Sequence, residues 1–190
     1  MGTIADEAKK CVEVMRKGGV ILYPTDTVCG IGCDPTNAAA VKRVFEIKKR
    51  ADSKAMLLLV DSADRLARYV GDVPAVAWDM IELAASPLTI IYDGARNIVP
   101  ALVAEDGSVG IRVTTELFSK ELCYRFQKPV VSTSANVSGE PTPGNFGEIS
   151  REIIDAVDYV VNYKQLEKGK AKSSGIVKLT SNGTVTVIRE

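Results

Sequence analysis

The chain has 190 residues, with 24 Lys and Arg balancing 24 Asp and Glu, four cysteines and no histidine. Its length implies one domain or two small ones, enough to bury roughly 70% of the unfolded surface without disulfides or a structural metal. The 46% hydrophobic and 25% charged composition is that of a soluble globule. The missing histidines exclude Ser-His-Asp and Cys-His nucleophile activation, His-ligated zinc and imidazole acid/base chemistry.

Thr3, followed by Asp6 and Glu7, reads as a helix N-cap, and Ile4, Ala8, Cys11, Val12 and Met15 keep helical spacing up to Gly18-Gly19. Val20–Tyr23 reads as a buried strand stopped by Pro24. The Thr-, Asp- and Gly-rich run from Pro24 to Asn37 reads as loop, after which Thr36 is placed to cap a helix reaching Lys49. Met56–Val60 is an apolar strand, and helical patterns follow at Ser62–Val70 and Pro74–Ala85. Strands are expected at Leu88–Tyr92, Val109–Val113 and Pro129–Ser132, with a helix at Glu116–Phe126. A helix near Phe146–Ala156 precedes a closing hairpin, Ile176–Leu179 and Val185–Arg189, turning at Ser181-Asn182-Gly183. Strands alternating with helices, plus a terminal hairpin, predict an α/β fold with a mixed sheet. No repeat or long linker divides the chain, so a single domain over residues 1–190 is expected.

Cys11, Cys29, Cys33 and Cys123 fit neither a zinc nor a thioredoxin-like spacing and read as reduced thiols of a cytoplasmic protein. No stretch has the length of a signal peptide's apolar core or of a membrane span. The phosphate motifs GxGxxG and GxxxxGK[ST] are both absent: Gly30-Ile31-Gly32 is followed by Cys33-Asp34-Pro35. Between Lys42 and Lys54, six basic residues face only Glu46 and Asp52. This segment is either a solvated helix face or, through Lys48, Arg50 and Lys54, a place where phosphates gather. Ser132-Thr133-Ser134-Ala135-Asn136 ends an apolar strand, where it forms either a local turn or the ligand-facing rim of an open α/β sheet. Arg112 stands inside the apolar strand SVGIRV and needs an anion, either an internal carboxylate or a ligand's.

Together and in this order, YPTDTVCGIG, KKRADSK, SVGIRV, STSANVSGEPTPG and SSGIVKL resemble the YrdC-type threonylcarbamoyl-AMP synthase family over nearly the whole chain. The resemblance implies a single-domain twisted mixed sheet with flanking helices around a large, positively charged cavity. It also implies a nucleotidyltransferase that converts L-threonine, bicarbonate and ATP with Mg²⁺ to threonylcarbamoyl-AMP and pyrophosphate. The product would feed the tRNA threonylcarbamoyl-transferase machinery, with the protein a monomer or homodimer making no membrane contact. Carried over by residue, Lys48 and Arg50 act electrostatically, with no general base and no metal-ligating side chain assigned. Those two, with Lys54, Ser108, Ser134, Asn136, Thr142 and Arg189, would hold ATP, and Thr27, Arg112, Ser132 and Ser174 would surround L-threonine. The chain departs from the family pattern at Cys29 (usually aromatic), Ala51 (proline), Leu59 (often histidine), Ala85–Thr89 and Ser174-Gly175. The rival readings are a YrdC-like module that contacts double-stranded RNA or tRNA, and a nucleotide-binding relative without synthase activity. The absence of net charge and the 6% aromatic content argue against bulk phosphate attraction or base stacking.

Overall fold

The computed structural model describes residues 3–49, 56–167 and 171–190; Arg50, Ala51 and Lys54 lie outside the described residues. Helix α1, Ile4–Arg16, starts as its sequence predicts. Thr3 and Asp6 form a reciprocal capping box, with the Asp6 N–H donating to Thr3 Oγ1 and the Thr3 N–H to Asp6 Oδ2. Strand β1 (Ile21–Tyr23) follows, and then β2 (Gly30–Gly32) inside the segment expected to be all loop. Glycine lowers strand propensity, which hides β2 in the sequence. Close packing explains the glycine: a Cβ on Gly32 would sit 2.5 Å from the Val131 carbonyl and 2.6 Å from the Tyr23 ring.

Helix α2 (Ala38–Ile47) is capped by Asn37 rather than by Thr36. The Thr36 hydroxyl and N–H both donate to Asp34 instead, so the competing local turn takes this side chain. Next come β3 (Leu57–Val60), a 3₁₀ segment Ala63–Arg68 where the sequence suggested a helix, α3 (Ala75–Leu83) and β4 (Leu88–Tyr92). After these, β5 is Val109–Val113, α4 Leu117–Phe126 and β6 Val130–Ser134. The expected 146–156 helix is divided at Ser150 into a 3₁₀ turn, Phe146–Glu148, and α5, Arg151–Ala156. A two-residue β7, Tyr159–Val160, was not expected. It is held at the edge because the preceding Asp158 accepts the Val20 N–H and pairs with Arg43. The hairpin is β8 (Gly175–Leu179) and β9 (Val185–Arg189), and Gly183 takes positive φ (85°) in the turn.

Among the described residues these strands form one mixed sheet in the order β7-β1-β2-β6-β3-β5-β4-β8-β9. The β3/β5 and β4/β8 pairs are parallel, and β6 runs antiparallel to both β2 and β3. Strand alternation then sorts side chains onto two faces. One face, carrying Leu58, Val60, Ile90, Ile111 and Val131, packs with Val41, Val44 and Phe45 of α2 and Ala77 of α3. The other carries Tyr23, Leu59 and Val130 against Ala8, Cys11, Val12 and Met15 of α1 and Phe118, Leu122, Cys123 and Phe126 of α4. Each fully buried large apolar side chain contributes about 1.5–3 kcal/mol. Ser132 and Ser134 lie two and four residues beyond Val130 on that second face, and Leu57 two before Leu59. There the face borders a cavity instead of a helix.

Candidate active site

The cavity measures about 250 Å³ and is lined by Thr27, Gly30, Leu57, Arg112, Ser132, Ser134, Thr142, Ser174 and Arg189, among others. Register explains the gathering. Leu57 stands opposite Ser132, Gly30 opposite Ser134, and Arg112 beside Leu59, while the starts of β8 and the end of β9 bring Ser174 and Arg189 from the far side of the sheet. Thus all four residues expected around L-threonine (Thr27, Arg112, Ser132, Ser174) line one space with three of those expected around ATP (Ser134, Thr142, Arg189).

Arg112 is 2% exposed. Its Nη2 lies 3.0 Å from Asp26 Oδ1, in a pair with both side chains buried. The contact is Coulombic, because Asp26 Oδ1 lies off the N–H direction and accepts no hydrogen bond. The guanidinium otherwise donates from Nη1 to Thr89 Oγ1 (3.4 Å) and from Nη2 to Thr27 Oγ1 (3.2 Å), both long. Its Nε has no acceptor. Of the two anions its position allowed, the internal carboxylate is therefore present, and hydrogen-bonding capacity remains for a second acceptor. Thr89 also shares a 2.9 Å hydrogen bond with the buried Ser174 hydroxyl. The Ser174 carbonyl accepts from Arg189 Nε and Nη2 at 2.9 and 2.7 Å, which fixes the last strand's arginine on the cavity rim.

Lys48 is 2% exposed and does not line this cavity. As C-cap of α2 it donates from Nζ to the carbonyls of Ser134 and Asn136, and its own carbonyl accepts the Ser138 N–H. The basic segment and the SAN loop, two motifs far apart in sequence, are thereby clipped together. Lys49, next in the chain, takes positive φ (48°) and pairs with Glu152. Asn136 donates to the Val137 and Glu140 carbonyls, leaving its buried Oδ1 without a donor. Ser108 precedes β5 at the same end of the sheet, but its hydroxyl and N–H both donate to Asp106, and it does not line the cavity. Lys178 and the Ser108 bonds hold the Asp106 carboxyl well below the usual carboxylate range.

The departures from the family pattern fall in different places. Leu59 is fully buried under α1 and α4 and does not reach the cavity. Cys29 lines a neighbouring cleft with Thr25, Thr27, Phe146, Lys164 and Glu167. Burial pushes its thiol up to about 11, so it is protonated at neutral pH and a poor nucleophile. All four cysteines are free thiols. Two residues of the site, Asp26 and Thr89, were not singled out from the sequence. Asp26 stands between the threonines of PTDT, a spacing that places its carboxylate beside Thr27, but its partner is 86 residues away. Among the described residues no group of three His, Cys, Asp or Glu side chains gathers to hold a metal, and no helix is long and apolar enough to cross a membrane.

A family model for Sua5, YciO and YrdC, described as "Telomere recombination", matches residues 13–190. Similar proteins include a threonylcarbamoyl-AMP synthase of Pseudoalteromonas translucida, 34% identical over 80% of this chain and 82% of that one. Another, from Thiobacillus denitrificans, is 38% identical over 78% and 79%. Among solved structures, E. coli YciO superimposes with a TM-score of 0.84 at 26% identity, covering 98% of this chain and 89% of its own. P. abyssi Sua5 in complex with L-threonine gives a TM-score of 0.83 at 20% identity; this chain spans 53% of its length, and the likeness bears on the fold.

Proposed function

The chain belongs to the Sua5/YciO/YrdC family, and from that premise we propose that it is an L-threonylcarbamoyladenylate synthase. The L-threonine amine and bicarbonate condense to a carbamate with loss of water, and a carbamate oxygen attacks the α-phosphorus of ATP, breaking the α–β anhydride bond and expelling pyrophosphate. The product is threonylcarbamoyl-AMP, which tRNA threonylcarbamoyl-transferase enzymes consume in the cytoplasm. The observation that carries the reading is the convergence of Arg112, Thr27, Ser132 and Ser174 with Ser134, Thr142 and Arg189 in one cavity. The relatives' name, threonylcarbamoyl-AMP synthase, supports the reaction class.

In this mechanism Arg112 receives the threonine carboxylate on its unspent donors, and the hydroxyls of Thr27, Ser132 and Ser174 orient the rest of the amino acid. Ser134, Thr142 and Arg189 face the nucleotide, with Arg50 and Lys54 supplying positive charge to the phosphates. Asn136 offers its free Oδ1 to a ligand donor. Lys48 contributes by holding the Ser134–Asn136 backbone in place, and Ser108 bounds the site through its turn with Asp106. Mg²⁺ arrives with ATP as part of the substrate and neutralises phosphate charge. The reaction asks for alignment and charge neutralisation more than for a protein base, which suits a chain without histidine.

The test follows pyrophosphate release with Mg·ATP, bicarbonate and L-threonine, omitting each in turn. Release is expected to require all three, and threonine-independent release refutes the assignment. Arg50→Ala is expected to cut turnover by orders of magnitude without changing the melting temperature. Lys48→Ala is expected to lose activity and also to melt lower, because the buried Asn136 carbonyl and the part-buried Ser134 carbonyl lose a charged donor, at about 1.5–3 kcal/mol for the buried one.

A further inference from the structure

The Asp26–Arg112 pair raises a question that a carboxylate-binding arginine alone does not. Asp26 is within 3.0 Å of the guanidinium and buried. It lines a separate small cleft with Ile81, Leu88, Val113 and Thr115 rather than the main cavity. It therefore reaches Arg112 from outside the main cavity, at the same Nη2 that donates to Thr27 Oγ1. Its neighbours in the cleft include no cation, so a ligand that displaced Asp26 from Arg112 would leave its carboxylate without a counter-ion. Such an unpaired buried charge is strongly disfavoured. Asp26 accordingly stays in place when Arg112 is engaged. Arg112 needs it with no ligand bound as well, since a buried guanidinium without a counter-ion is equally costly.

The local charge beside Arg112 then decides what that subsite accepts. Asp26 and Arg112 already sum to zero. Among the described residues, the other arginine that lines the cavity, Arg189, is exposed and spends Nε and Nη2 on the Ser174 carbonyl. A ligand carrying only a carboxylate would place two negative charges around one guanidinium, about 6 Å apart, a repulsion worth at least tenfold in affinity at the effective dielectric of such sites. A zwitterionic α-amino acid brings its own cation, and its ammonium offsets the repulsion from Asp26.

We infer that Asp26 is the specificity-determining residue that makes the Arg112 subsite select zwitterionic α-amino acids over simple carboxylates. It acts through the electrostatics of the pair and not by touching the ligand. The inference rests on the proposed placement of L-threonine at Arg112.

The experiment compares calorimetric binding of L-threonine with that of (3R)-3-hydroxybutanoate, the same molecule without its amino group. It uses the wild-type protein, Asp26→Asn and Asp26→Glu. The wild type is expected to prefer L-threonine at least tenfold. Asp26→Asn, which keeps the shape and removes the charge, is expected to shrink that preference about tenfold by strengthening hydroxybutanoate binding. Asp26→Glu is expected to retain the wild-type ratio within about threefold. A merely structural role would weaken both ligands together. An unchanged ratio in Asp26→Asn, or a parallel loss for both ligands, overturns the inference while leaving the threonine site standing. Equal binding of the two ligands by the wild type overturns it without recourse to any variant. Binding of neither ligand by any of the three proteins overturns the threonine site as well.

Discussion

Two stretches of one sheet face have opposite fates. At one end Tyr23, Leu59 and Val130 are sealed under α1 and α4. One alternation further along the same strands, Leu57, Ser132 and Ser134 line a cavity with Arg112. Strand geometry gives both ends the same backbone support, and the difference lies in what covers them. The sealed end supplies stability through apolar burial. The open end uses that rigidity to hold hydroxyls and one arginine at fixed positions, which is how a site without histidine obtains positioning. Leu59 belongs to the sealed end and not to the cavity.

If the division holds, substitutions at the two ends separate stability from activity. The largest effect is expected for Leu59→Ala, which leaves a cavity under α1 and α4 and costs about 3 kcal/mol of unfolding free energy. Denaturant melts measure the loss, and activity per folded molecule should survive; a selective activity loss with stability intact would move Leu59 into the site. Next is Arg112→Lys, which keeps a cation beside Asp26 but loses the planar fork. Threonine-dependent turnover is expected to fall about 30- to 100-fold with a small change in melting temperature. Ser132→Ala follows, with about a tenfold rise in the KM for threonine, one hydrogen bond's worth, and near-native stability.

The smallest effect concerns acid. Glu7, at the sealed end, is buried and accepts hydrogen bonds from the Tyr159 hydroxyl and the Asn162 N–H while pairing with Lys10. Burial raises its pKa, but these partners outweigh it, and the carboxyl is held below its usual value of 4.5. A depressed folded pKa gives stability that is fully present above pH 4.5 and is lost as the pH falls through the folded value. Glu7→Gln should therefore flatten the acid limb of the stability curve below pH 4.5 and lower stability at neutral pH. An unchanged acid limb would mean that the three contacts do not favour the ionised form.

Much of this was legible in the residues. The capping box at Thr3, the strands at 88–92 and 109–113 and the closing hairpin are local patterns, set by spacing and turn chemistry within a few residues. Strand β2 was not, because its glycines answer to the Tyr23 ring and to the β6 backbone, contacts that local propensity cannot register. The α2 cap moved from Thr36 to Asn37 because Asp34 competes for the threonine. Lys48 shows the same limit in the site. The sequence marks it as a charge near phosphates, and only packing directs its ammonium to the Ser134 and Asn136 carbonyls.

The balanced composition without histidine determined by itself which chemistries this chain cannot use. Its ordered motifs determined the family and which residues to compare. Which of those residues share a cavity was decided by strand register, which joins Ser132 to Leu57 and Gly30 to Ser134 across the sheet. The counter-ion of Arg112 was likewise a tertiary decision. A buried guanidinium requires an anion, but that requirement names no partner, and Asp26 becomes one only when the loop after β1 is folded back over β5.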